Sequence, residues 1–345
     1  MAVLKTNITD AYEPQAWSEY FVEQNTAKNQ LVQAGILASD PEISAKIAQG
    51  GRLLDMPFWN DLPFDLGTGS RSSVATDTDD EITPDGIDYS QDIAVVNYRT
   101  KAWQVSPLVK YVAGSDPVEV FLDRQVNWWL REKQRLLLKI LAGLFGSSGC
   151  LEATHVNSLA GEDGTNATAA QLISNDAIED TRFLLGDAYD KFTGMMMHST
   201  VFKRLRSLDL IDTEADSAQN LMIQTYQGLR VIVDDGVTKT AGSTSGYKYD
   251  TFLFGQGAIA YEEIPTDPAQ DPNIELYRQP LKGTGAGALD VITRSQFVMH
   301  PRGCAWQLSP SSVDYPTDTE LETVTSWSDV WLAKNIRIAK LVTNG

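Results

Sequence analysis

A chain of 345 residues, 42% hydrophobic and 21% charged, is long enough for two or three packed domains with substantial cores. Its formal net charge of −18 repels phosphate, which argues against sequence-independent nucleic-acid binding through basic patches. No segment approaches the roughly 18 apolar residues of a membrane span, and residues 1–14 hold one lysine and no apolar run of signal-peptide length. The expectation is a soluble chain made in the cytoplasm.

Residues 1–50 hold helical patches at 14–22 and 40–48, separated by polar residues. They carry too little apolar surface to bury by themselves, so they read as an arm lying on other structure, closed by Gly50 and Gly51. The character then changes to strands. Residues 56–64 and 93–105 are apolar, the second rich in β-branched and aromatic residues, and Pro57 and Pro63 place the first at a sheet edge. Between Asp61 and Asp92 there are nine acidic residues and one basic one, Arg71. Such a segment cannot form its own core. It is either a solvated loop or a long hairpin ordered against a partner, and Phe58, Trp59 and Phe64 beside it favour the hairpin.

Residues 116–145 carry the longest helical signal. Asp116 suits the N-cap, Pro117 the first helical position and Glu119 a capping box. Val118, Leu122, Val126, Trp129, Leu136, Ile140 and Leu144 form one stripe, Arg124, Arg131, Glu132, Gln134 and Lys139 much of the polar face, and Gly146 a stop. At 1.5 Å per residue the helix would be about 45 Å long, which suits a beam; an ordinary core helix is the alternative that length alone does not exclude.

Residues 143–164 read as a Gly/Ser/Asn-rich linker, 175–192 as a second helix, 195–197 as a short buried strand, and 199–208 as a third helix capped by Ser199. Strands are expected at 229–233, 251–260, 274–278, 289–299 and 336–342, with an exposed polar loop over 236–246. This alternation makes the fold class α+β.

The search for catalytic or metal chemistry comes up thin. His155, His198 and His300 have no paired spacing and no neighbouring carboxylate or cysteine in sequence, so each reads as structural. Cys150 and Cys304 read as packed hydrophobes far apart in the chain, without a disulfide framework. Residues 283–287 are not a phosphate loop, since no Gly-Lys-Ser/Thr follows. The cluster Asp77, Asp79, Asp80, Glu81, Asp85 lacks the glycine and glutamate of an EF-hand and reads first as a solvated charge run, with a weak surface cation site as the alternative. No catalytic, cofactor-binding or metal residues are assigned. A rival reading, an acidic soluble hydrolase, would have to use Glu262, Glu263 and Asp267 brought together in space. A second rival is a smaller ring-forming or decoration-type structural protein using the same hairpin.

The order of segments resembles the major capsid proteins of tailed bacteriophages, a fold shared with the herpesvirus capsid floor. The resemblance rests on an ordered set of words: Pro57-Phe58-Trp59-Asn60-Asp61-Leu62 and Glu81-Ile82-Thr83-Pro84 in the extended loop, Lys101-Ala102-Trp103 in its return strand, and Asp116-Pro117 with Trp128-Trp129 in the long helix. Met197-His198-Ser199, His300-Pro301-Arg302-Gly303 with Trp306, and Lys334-Asn335-Ile336-Arg337-Ile338 continue it.

The resemblance implies an N-terminal arm over 1–50, an extended two-stranded loop over 51–112, and a peripheral domain over 113–205 built on the spine helix. It places an axial domain over 206–260 and return strands over 261–345. It implies self-assembly as hexamers and pentamers into an icosahedral shell around double-stranded DNA, with the loop reaching over a neighbour. Phe58, Trp59, Phe64, Trp103, Arg124 and Trp129 become candidates for contact between subunits. A portal, a separate scaffolding protein and a decoration protein are implied partners. Only about 50 residues precede the loop, against the long cleaved segment of some members, which favours the separate scaffold. The acidity fits a container that must not adhere to its contents.

Overall fold

The computed structural model describes residues 36–47, 50–60, 86–113, 117–216, 221–264, 274–283, 285–307 and 315–345. The elements in order are β1 (Leu37–Ala38), α1 (Pro41–Ile47), β2 (Leu53–Trp59), β3 (Tyr89–Val105), α2 (Leu108–Ala113), α3 (Pro117–Leu144), α4 (Glu152–His155) and β4 (Val156–Ser158). Then come α5 (Asn175–Arg182), β5 (Phe192–Met197), α6 (Ser199–Ser207), β6 (Asp212–Asp216), β7 (Leu221–Tyr226), β8 (Leu229–Val233), β9 (Lys239–Ala241) and β10 (Tyr247–Gly255). The chain closes with β11 (Ile259–Glu263), β12 (Ile274–Gln279), β13 (Ala288–Pro301), β14 (Cys304–Trp306), α7 (Asp318–Glu322), β15 (Trp327–Asp329) and β16 (Ile338–Thr343).

These strands make two large sheets. The first runs β1-β11-β13-β3-β2, with β12 also on β13; the second runs β4-β16-β10-β5-β8-β7-β6, with β9 also on β10. Between them lies α3, 28 residues or about 42 Å of helix. Among its described side chains Trp129, Lys133, Leu136, Leu137, Ile140, Leu141 and Leu144 are buried, one stripe at helical spacing. That stripe packs in one core with Val95, Phe297 and Met299 of the first sheet and Met196, Ile232, Phe252 and Phe254 of the second. Fully burying each such side chain contributes about 1.5–3 kcal/mol, so the helix ties both sheets together. A second core, around Met195, Met197, Leu253 and Leu341, joins the second sheet to α5 and α6.

Small residues set how closely elements approach the beam. A Cβ on Gly143 would lie 2.4 Å from the Leu321 carbonyl oxygen and 2.9 Å from Trp327 Nε1, so only glycine lets α7 and Trp327 seat here. The indole Nε1 of Trp327 donates to that same carbonyl at 3.0 Å, and its ring meets Trp306 edge-on at 5.0 Å. Arg135 to Asp318 at 2.8 Å and Lys139 to Glu322 at 2.6 Å complete the seam between α3 and α7.

The fold corrects several sequence expectations. Residues 36–47 are part of the body: β1 adds to β11 in parallel, and Ile36 and Ile43 are fully buried. The expected helix over 175–192 stops at Arg182 and continues as a 3₁₀ segment broken at Gly186, whose φ of +60° no helix accommodates. The cap of α6 is His198, whose ring nitrogen accepts from the Thr200 amide, one residue before the expected Ser199. The expected strand over 251–260 is two strands in different sheets, parted at Gly257, φ +61°. The linker over 143–164 contains α4 and β4, and the loop over 236–246 contains β9. Both β4 and β5 lie in the second sheet, although they fall in the stretch read as belonging with the spine helix.

Candidate assembly surface

Two strands form the ribbon from which the acidic segment departs. Leu53 to Trp59 run antiparallel to Val95 to Tyr89, in register. As Pro57 requires, β2 is the outermost strand of its sheet among the described residues, and Pro63 lies outside them. Residue alternation sends neighbouring side chains to opposite faces. Phe58 is half-buried and meets Trp331 of its own chain edge-on at 6.2 Å. Trp59 is 69% exposed, and its only aromatic neighbour among the described residues is Tyr89, 52% exposed, at 5.4 Å. With Ile87, 56% exposed, they leave an apolar patch where the described ribbon ends. Phe64 and the acidic cluster at 77–85 lie outside the described residues.

The other candidates sit elsewhere. Trp103, half-buried, packs on Phe121 at 4.8 Å and edge-on against Trp128 at 5.1 Å, pinning the return strand β3 to the spine helix. Trp129 is 7% exposed and meets Trp128 at 4.9 Å, so its ring is spent inside the subunit. Arg124 is half-buried on the same helix. The structure therefore separates the described candidates: Trp59 faces outward, Trp129 faces the core, and Phe58 and Trp103 are used partly within the chain.

The base of the ribbon is latched by polar groups the sequence does not bring together. Asp92, on β3, is 3% exposed; one carboxylate oxygen lies 2.9 Å from His300 Nε2 and the other accepts the Gly303 amide at 3.0 Å. His300 is 1% exposed. The partner carboxylate thus exists, 208 residues away. Gly303 has φ +86° and lies under the Trp331 ring, which explains the Arg-Gly word that follows Pro301. His155 bonds the carbonyls of Ala333 and Ile336, and burial lowers its pKa, so it stays neutral and structural.

Lys133 is the principal residue missed. It lies within the apolar stripe of α3, bonds Glu263 at 2.5 Å and stands 5.5 Å from the ring centres of Tyr261 and Phe297. Burial pushes the Glu263 carboxyl up, but the Lys133 ammonium and the Tyr261 hydroxyl hold it below its ordinary value. Glu262 accepts the Ser39 hydroxyl at 2.7 Å, and Asp267 lies outside the described residues. The two described carboxylates of the hydrolase reading are thus engaged in structural bonds. Among the described residues no group of three or more His, Cys, Asp or Glu side chains is placed to hold a metal, and no helix is long and apolar enough to cross a membrane. Cys150 and Cys304, far apart in sequence, are brought together with their thiols in hydrogen-bonding contact, both free.

A spine helix clamped between two sheets, with a two-stranded ribbon projecting an exposed aromatic end, is the architecture of tailed-phage capsid subunits. The fold matches that of a capsid chain of cyanophage Pam1 with a TM-score of 0.50 over 87% of each chain, at 11% identity. No protein-family model matches the sequence. A curated relative does: the major capsid protein of Bacillus phage SPP1 is 32% identical over 342 residues, 97% of each chain. The chain belongs to the family of tailed-phage major capsid proteins, structural components that associate with their own copies to form the capsid shell of the virion.

Proposed function

We propose that the chain assembles as hexamers and pentamers into a closed icosahedral shell around double-stranded DNA, and that the β2–β3 ribbon lies across the adjacent subunit. The observation that carries this is the exposed Trp59–Tyr89 pair with Ile87, an apolar patch that an isolated subunit leaves in water. In this reading the first sheet and α3 form the peripheral domain, and the second sheet forms most of the axial domain near the capsomer centre. Trp59 is the main contact residue, with Phe58, Phe64, Trp103 and Arg124 around it and Trp129 as their internal support. A separate scaffolding protein, a portal and a decoration protein are the expected partners, with synthesis in the host cytoplasm. No catalytic role is assigned.

The test is negative-stain electron microscopy with sedimentation, on the chain expressed alone and with its neighbouring phage genes. Polyhedral shells, rings or capsomer-sized sheets are the expected result. A monodisperse monomer under both conditions contradicts it.

A further inference from the structure

The chain has two cysteines, and the fold brings them together. Cys150 lies in the turn that leaves the spine helix and Cys304 on β14, both packed in the core that α3 shares with the two sheets. The turn holds Cys150 from both sides. The Gly149 amide donates to the Gly146 carbonyl at 2.7 Å, the Leu151 amide to that of Leu144 at 3.2 Å, and the Leu151 side chain is fully buried. Cys304 is fully buried opposite Asp329 of β15, and follows Gly303, whose amide donates to Asp92 of the ribbon strand β3. Its thiol donates to the Cys150 sulfur, which is partly exposed. Among the described residues no third His, Cys, Asp or Glu joins the pair as a metal site.

The two thiols differ in the way stepwise exchange requires. Cys150 is reachable from solvent, and the hydrogen bond from Cys304 favours its thiolate and lowers its pKa; that same bond and burial push the Cys304 thiol up. Thiols stay reduced in a cytoplasm, whereas a virion passes into an oxidising medium. We propose that Cys150 and Cys304 are a modification site, joined as an intrachain disulfide when the chain meets small-molecule disulfides outside the cell. The Cys150 thiolate attacks one sulfur of such a disulfide, forming a mixed disulfide and releasing one thiol. Cys304 then gives up its proton and attacks Cys150 Sγ, expelling the second thiol. The two thiol hydrogens of the chain end on the two departing thiols, so the chain is oxidised and the small disulfide reduced. The bond ties the end of the spine helix to β14 and, through the Gly303 amide, to the base of the ribbon. It closes a long loop running from β4 to β13, which restricts the unfolded chain. Its setting rests on the reading that the chain is made in the host cytoplasm and leaves in the virion; the chemistry does not, so the isolated chain tests it separately from shell assembly.

Intact mass spectrometry of the full chain, incubated with oxidised glutathione and then denatured in iodoacetamide, tests this. A loss of about 2 Da without alkylation, and a digest peptide pair joining Cys150 to Cys304, are expected. Two alkylated cysteines, glutathione left on Cys150 with Cys304 alkylated, or a covalent dimer would each overturn the pairing. As a second arm, the oxidised chain is expected to melt about 5 °C above the same chain in dithiothreitol, and Cys150→Ser to abolish the difference. A shift that survives in Cys150→Ser contradicts the cross-link as its cause. Purified particles opened without reductant are expected to hold the joined form, and chain from freshly lysed cells the reduced one. Reduced thiols in both would overturn the disulfide as a feature of the virion.

Discussion

The spine helix and the loop ribbon carry the same kinds of residue and use them oppositely. On α3, Trp128 and Trp129 close on each other and on Trp103, and the stripe from Lys133 to Leu144 disappears between two sheets. On the ribbon, Trp59 and Tyr89 close, among the described residues, only on each other and stay exposed. A tryptophan in the sequence therefore does not say whether it serves the subunit or its neighbour. What decides is whether an element of the same chain covers it.

That contrast can be broken from the core side first. Leu137→Ala, at a fully buried position of the spine, is expected to cost about 3–5 kcal/mol in chemical denaturation of the subunit, through lost burial and the cavity left behind. A cost below about 1 kcal/mol would mean the helix is not the shared core of the two sheets.

Lys133 sharpens the comparison, because it is a charge on the buried side of the beam. Lys133→Ala should cost about 2 kcal/mol, a figure reduced from that of a fully buried pair because Glu263 is largely exposed. Lys133→Met should recover most of that loss, since it keeps the stem among Tyr261 and Phe297. Equal losses in both variants would show that the charge, not the packing, matters.

Acid should erode stability more gently. The Lys248 ammonium and the Ser243 amide hold the Glu162 carboxyl down to about 2, and Lys133 outweighs burial to hold Glu263 below its ordinary value. Folded-state values below the unfolded ones mean that this stabilisation is present above pH 4.5 and is lost as pH falls toward about 2. Asp250, pushed up by burial against the pull of Lys340, works the other way. Thermal melting followed across that window should decline with falling pH; a flat profile would show the bonds of Glu162 and Glu263 to be inconsequential.

Much of the scaffold was legible in the sequence because it is local. The apolar period over 117–144, Pro57 of β2, and the methionine run at 195–197 each act within a few residues, and each appears where expected. What was not legible depends on chain reversal. Asp92 reaches His300, Cys150 meets Cys304, and Lys133 finds Glu263 only once β3, β11 and β13 are side by side. The merged strand over 251–260 failed for a related reason: its composition is continuous, and only the positive φ at Gly257 turns the chain from one sheet to the other. The contact candidates were chosen by residue type, and among the five that lie in the described residues only Trp59 combines a large apolar surface with high exposure.

Trp59→Ala gives the most direct test. The subunit's melting temperature should stay within about 1 °C of the parent, since a ring 69% exposed contributes little to folding. Particle yield by sedimentation should fall by an order of magnitude or more, as loss of an aromatic anchor costs about 2 kcal/mol at every copy of the interface. Normal particles would contradict the assignment of the ribbon end as an assembly surface.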